Sequence, residues 1–173
     1  MLRAINVLGK RMIKMPDLVK LYRNMDLKDV QTYIQSGNVI FRTRETTANI
    51  LAARIEQAIL AAFGFNVAVL LRTPAELEVA ISNNPFKNAD GSAKENTYIT
   101  FLENPPLTEH LEKIEKLSFL PDRYVIIGME IFIDCAGGYG TTKLSNNFFE
   151  NKLKVRATTR NWKTVKTLLD MAC

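Results

Sequence analysis

Residues 48–63, ANILAARIEQAILAAF, constrain the fold more than any other stretch of this chain. Leu51, Ile55, Ala58, Ile59 and Ala62 recur at helical spacing and make one apolar stripe. Gly64 follows where a helix ends in a left-handed residue. Such a stripe must be covered, and the flanking segments are strand-like. Residues 30–34 and 39–43 precede the helix, and FNVAVLLR, 65–72, follows it.

The segments further upstream complete the pattern. Apolar residues cluster in 2–8 as a short strand, and Leu18, Leu21, Tyr22 and Met25 fall at helical spacing after Pro16. The order is β-α-β-β-α-β, the ferredoxin-like unit. Thr73-Pro74-Ala75-Glu76 then reads as a capping box opening a helix to about Ser82, which Asn84-Pro85 breaks. After the polar loop 87–94 the order nearly repeats. A strand at 97–102 leads to a helix capped by Thr108, and then to a hairpin, 124–127 with 130–135, turning at Gly128-Met129. A helix capped by Ser145, a strand at 155–159 and a last helix carrying Trp162, Val165 and Leu169 close the chain. The expectation is an α+β protein of two tandem ferredoxin-like units, with antiparallel sheets and helices packed on one face of each. Residues 1–82 form the first unit with a trailing helix, and 83–173 the second with the C-terminal helix.

A length of 173 residues suits one large domain or two small ones, and 47% hydrophobic with 24% charged residues marks an ordinary globular chain. No apolar run is long enough to span a bilayer, and MLRAINVLGKRMIKM lacks the pattern of a signal peptide. Two cysteines, Cys135 and Cys173, make no disulfide framework, so a reduced, cytoplasmic setting is expected. The net charge of +5 is uneven. Residues 1–28 carry seven Lys/Arg against two acids and 143–170 seven against two, while 29–142 carry nine against fourteen. Basic ends that met in space would draw an anionic partner. Two solvated faces that never meet are the plainer reading.

YIQSGNVIF, 33–41, sets Gln35-Ser36-Gly37-Asn38 between two apolar arms. Gly37 and Asn38 are turn residues first, whereas the turn itself does not require Gln35 and Ser36. Together with AINVLGKRMIKM (4–15), TYIQSGNVIF (32–41), FGF (63–65), NNPF (83–86) and ATTRNWKTV (157–165), this stretch resembles the bacterial family of unknown function DUF1697. The resemblance runs in order over nearly the whole chain, and YIQSGNV and TTRNW are its specific parts. It implies a ferredoxin-like architecture and brings no biochemical activity. The family pattern LLRGINVGG reads MLRAINVLG here, with Ala4 and Leu8 in place of glycines, so a shortened first strand and a less open backbone approach are expected.

The family segments are polar and fall at strand ends and turns. Asn6, Lys10, Gln35, Ser36, Asn38, Lys143, Thr159, Arg160 and Asn161 are the candidate binding residues. Arg160 suits a bidentate contact to phosphate or carboxylate. Thr159 and Asn161 fall where the last helix opens, an end that attracts anions. Equally, Asn161 or Thr159 caps that helix, Arg160 pairs with a surface acid and Trp162 is core. The glycine-rich CAGGYGTTKLS, 135–145, leads from strand to helix, but its spacing around Lys143 does not fit G-x-x-x-x-G-K-[ST].

Catalytic residues, metal ligands and cofactors are not indicated. His110 stands alone in an acidic helix and is expected to be exposed, while Cys135 reads as a small core residue. Phe148-Phe149, opening a helix, suits a core better than a partner interface. RNA recognition by this fold needs aromatics on the third strand, and NVIFRT offers Phe41 alone. The leading expectation is a small anionic or phosphorylated ligand, with Lys10, Arg160 and Lys143 neutralising charge and Asn6, Gln35, Ser36 and Asn38 orienting it. The alternatives are nonspecific nucleic-acid binding by the basic termini and a non-catalytic interaction module. The oligomeric state is left open.

Overall fold

The computed structural model describes every residue except Leu8. The chain is an α+β fold with two antiparallel sheets, divided into two compact units: 1–72 with 170–173, and 73–169.

In the first unit α1 (Met15–Asn24) precedes the hairpin of β1 (Lys28–Tyr33) and β2 (Asn38–Arg42), and α2 (Ala48–Phe63) follows. Leu51, Ile55 and Ile59 on α2 are buried as their spacing predicts, and Gly64 caps the helix in the left-handed region at φ 80°. They share one core with Leu2, Ile5, Leu18, Tyr22, Val30 and Val69. Tyr22 packs edge-on against Phe41 at 5.5 Å, and burial pushes its phenol pKa far upward.

The expected strands at 2–8 and 65–72 do not form as continuous strands. Leu2 and Val69 make an isolated antiparallel bridge, supported by bonds from Arg3 N to Ala68 O and Leu70 N to Met1 O. Leu2 N also donates to Gly37 O at 2.8 Å, so residues 1–3 lie between the hairpin and 68–70. The chain then leaves the extended region, because Ala4 and Asn6 both adopt φ 54°. The part of the expected strand at Leu8 lies outside the described residues.

The second unit begins with α3 (Pro74–Ser82), whose capping box is fully formed by Thr73 and Glu76. Next come β3 (Thr97–Leu102), α4 (Thr108–Glu115), β4 (Arg123–Ile127), β5 (Glu130–Asp134), α5 (Asn146–Leu153), β6 (Ala157–Asn161) and α6 (Trp162–Ala172). The sheet order is β4-β5-β3-β6, antiparallel throughout. One face carries Leu102, Ile131, Ile133 and Ala157 into a core with Phe149 and Leu153 of α5. By strand alternation Ile99, Phe101 and Phe132 belong to the opposite face, and they too are fully buried.

Three local expectations are corrected. Thr108 is the first helical residue rather than the cap, because Leu107 holds the N-cap position without a side-chain bond. The last strand is displaced by two residues to 157–161, since its ladder to β3 runs from Leu102↔Ala157 to Tyr98↔Asn161. His110 is largely buried: its side chain is 16% exposed, and Nδ1 lies 3.1 Å from Leu153 O. Ser145 caps α5 as expected, its hydroxyl accepting from Phe148 N.

Candidate functional site

The first unit gathers its candidates around one side chain. Asn6 Nδ2 donates to Ile13 O and to Gln35 O, both at 2.9 Å, and its Oδ1 accepts from Ile13 N at 2.7 Å. The amide thus closes the loop 6–13 at its base and ties it to the hairpin. Asn38 is fully buried; its Nδ2 donates to Tyr33 O at 3.1 Å and to Ser36 Oγ at 2.9 Å, so it organises the turn from inside. Gly37, at φ 75°, lies so close to Leu2 and Ile5 that a Cβ there would fall 2.7 Å from Ile5 Cδ1.

Charge is distributed unevenly around this junction. Residues 1–16 carry Arg3, Lys10, Arg11 and Lys14 with no carboxylate, and 30–44 carry no carboxylate either. Lys10, Arg11, Lys14 and Gln35 are exposed, and among the described residues no carboxylate pairs with Lys10, Arg11 or Lys14. Phe41, considered as a base-stacking residue, packs on Tyr22 instead.

In the second unit the candidates separate. Thr159 Oγ1 donates to Asn146 Oδ1 at 2.6 Å and accepts from the Tyr139 hydroxyl at 3.0 Å, with Thr100 Oγ1 2.7 Å away. Asn146 N closes the ring by donating to Tyr139 Oη at 3.1 Å. Tyr139 also packs at a tilt against Tyr98 of β3, ring centroids 4.9 Å apart, so the glycine-rich connection 135–145 is anchored on β3 and β6, and Lys143 in that connection is exposed. Arg160 projects from the other face of β6. It is 8% exposed and donates from Nη1 to Thr158 Oγ1 and Thr159 O, both at 2.8 Å. Burial lowers its pKa to about 10. Arg160 is therefore buried rather than on the surface where it was expected, and Thr159 belongs to the strand centre. Asn161 is the helix cap: its Oδ1 accepts from Thr164 N at 2.7 Å.

Cys135 is buried, and desolvation raises its thiol pKa to about 11. Among the described residues no group of three or more His, Cys, Asp or Glu is placed to hold a metal ion, and no helix is long and apolar enough to cross a membrane. A cleft of about 570 Å³ in the second unit involves none of the nine sequence-chosen residues. Its lining comes from 115–126 and Phe86, where Leu117 falls at helical spacing with Leu111 and Ile114 and Leu120 offered an unpatterned apolar signal.

An α+β chain with two antiparallel sheets and these polar junctions is the class that the geometry defines. Residues 1–132 match the family described as "Protein of unknown function (DUF1697)", and the chain belongs to that family. The fold is similar to the conserved bacterial protein SP0830 from Streptococcus pneumoniae, with a TM-score of 0.75 and 21% identity, covering 100% of this chain and 96% of that one. No curated protein matches the sequence.

Proposed function

We propose that this protein binds a small anionic or phosphorylated ligand, centred on the loop 6–14 and the hairpin 33–38 of the first unit. The observation that carries the reading is the Asn6 clamp, which fixes a loop bearing Lys10 and Arg11 beside a hairpin tip without a single carboxylate. Exposed cations with no acid partner among the described residues supply attraction, and Gln35 and Ser36 supply hydrogen bonds that orient the ligand. Asn6 and Asn38 act by holding the frame. Within the second unit, Lys143, Thr159, Arg160 and Asn161 are a separate proposed set, with Lys143 as its exposed charge.

The same reading takes each unit as ferredoxin-like. In the second unit the element order β-α-β-β-α-β and strand order β4-β5-β3-β6 support it, and in the first the bridge of 1–3 to 68–70 supports it. A cytoplasmic location accords with a buried free thiol at Cys135 and an exposed one at Cys173.

The test is a thermal-shift and calorimetric series with inorganic phosphate, pyrophosphate, nucleotides, sugar phosphates and a short RNA, at low and moderate salt. A small anion at one hundred times its Kd is expected to add about 2.7 kcal/mol of stability. Lys10→Ala and Arg11→Ala should remove that gain without changing the stability of the unliganded protein. Stabilisation by RNA alone, vanishing with salt, would transfer the site to nucleic acid. The reading fails if no anion stabilises the protein, or if the two variants respond like the parent.

A further inference from the structure

The second sheet has an open edge at β4. This strand pairs with β5 on one side, and among the described residues no strand pairs with its other side. The hairpin closes on Ile127↔Glu130 around a two-residue turn. A closing pair of that kind is hydrogen-bonded, so alternation directs the backbone groups of 127, 125 and 123 toward β5 and those of Tyr124 and Ile126 outward. The 570 Å³ cleft lies along this edge: Arg123 and Val125 of one sheet face line it together with Tyr124 and Ile126 of the other. Residues from both faces can share a cleft only beyond the edge itself.

The edge is poorly protected. Natural sheets guard open edges with lysine, proline, bulges or covering elements. Here Val125 is 36% and Ile127 37% exposed, and across the cleft Leu120 is 77% exposed. Arg123, the one base in the strand, lies over the Phe86 ring and donates to Asp134. The cleft's remaining charges are the carboxylates of Glu115 and Asp122. Asp122 Oδ1 accepts from Ala136 N, and neither carboxylate forms an ion pair among the described residues.

We infer that β4 is a docking edge for an extended peptide of another protein, one that alternates apolar with basic residues and adds to the sheet as a fifth strand. The Tyr124 and Ile126 backbone groups would pair with the peptide main chain. Leu120 and Val125 would receive apolar side chains, and Glu115 and Asp122 would receive a lysine or arginine. A second copy of this chain fits less well. Antiparallel self-pairing about Val125 sets Asp122 opposite Gly128 and Arg123 opposite Ile127, which leaves the carboxylates without a cation.

The probe is a fluorescein-labelled nine-residue peptide of alternating lysine and valine, titrated with the full chain and read by anisotropy. Saturable binding is expected. Methylating alternate backbone nitrogens on the edge that faces β4 should weaken it about tenfold or more, because each lost main-chain bond carries most of a tenfold factor. A glutamate–valine peptide should not bind, and Glu115→Lys should weaken binding of the lysine–valine peptide while leaving thermal stability unchanged. Equal affinity for the methylated peptide on both of its edges would overturn the strand-addition geometry, and absence of saturable binding would overturn the proposal. A concentration-dependent dimer in light scattering, dissociated by Leu120→Glu, would assign the edge to a second copy and overturn it also.

Discussion

Gly37→Ala is the most informative single change in the first unit. Gly37 adopts φ 75°, where an L side chain costs about 1–2 kcal/mol. A methyl group there would sit 2.7 Å from Ile5 Cδ1, 2.8 Å from Leu2 Cβ and 2.9 Å from Ile5 Cγ1. Both neighbours are fully packed and Leu2 is held by its bond to Gly37 O, so relief requires the 1–5 segment to shift. Overpacking of this kind costs about 1–3 kcal/mol, giving about 2–5 kcal/mol in total. Gly64→Ala is the control: it carries φ 80° with nothing within 4 Å, so it should cost only about 1–2 kcal/mol. Urea denaturation followed by far-UV circular dichroism measures both by linear extrapolation. Ile5→Val removes the atom of closest approach, so the Gly37→Ala/Ile5→Val pair should lose less than the sum of its single variants. Equal losses for Gly37→Ala and Gly64→Ala, with strict additivity in the pair, would refute the packing argument.

Other perturbations test separate parts of the structure. Thr159→Val leaves Asn146 Oδ1 and the Tyr139 hydroxyl without their shared partner, and should cost about 1–3 kcal/mol in the same denaturation assay. Ser145→Ala removes the acceptor for Phe148 N and should cost about 1 kcal/mol, while Ser145→Asp should restore most of it. With its thiol pKa raised from 9.0 to about 11, Cys135 should resist alkylation at pH 8 in the native state, so Cys173→Ser should abolish labelling until denaturant is added. The folded state holds the Cys135 proton more tightly than the unfolded chain. Stability should therefore be fully present below pH 9 and fall as pH rises from 9 toward 11, and Cys135→Ala should flatten that decline.

Features set by neighbours in sequence were legible without the structure. The α2 stripe, its Gly64 cap, the Thr73–Glu76 capping box and the Ser145 cap all act within one or two turns, so spacing alone specifies them. Features set by distant partners were not. Residues 2–8 have strand composition, but Asn6 satisfies both main-chain groups of Ile13 and bends the chain away after the Leu2–Val69 bridge. The β6 register depends on its ladder to β3, more than fifty residues earlier in the chain, and that ladder carries Thr159 and Arg160 to opposite faces of one strand. The role of Gly37 was half visible: the turn explains its backbone, while the contact with Leu2 and Ile5 is invisible to local patterns. Of the candidate site, the polar identity of the hairpin residues was legible, whereas the clamp that joins them to the loop was not.

That clamp has an evolutionary consequence. Asn6 contributes a side chain, but Ile13 and Gln35 take part only through their backbone groups. One residue therefore fixes both ends of the segment 7–12, and its three bonds use no side chain from within that segment. The segment is a cassette: its bases can be exchanged for other residues, retuning whatever meets this surface, without redesigning the scaffold that presents it.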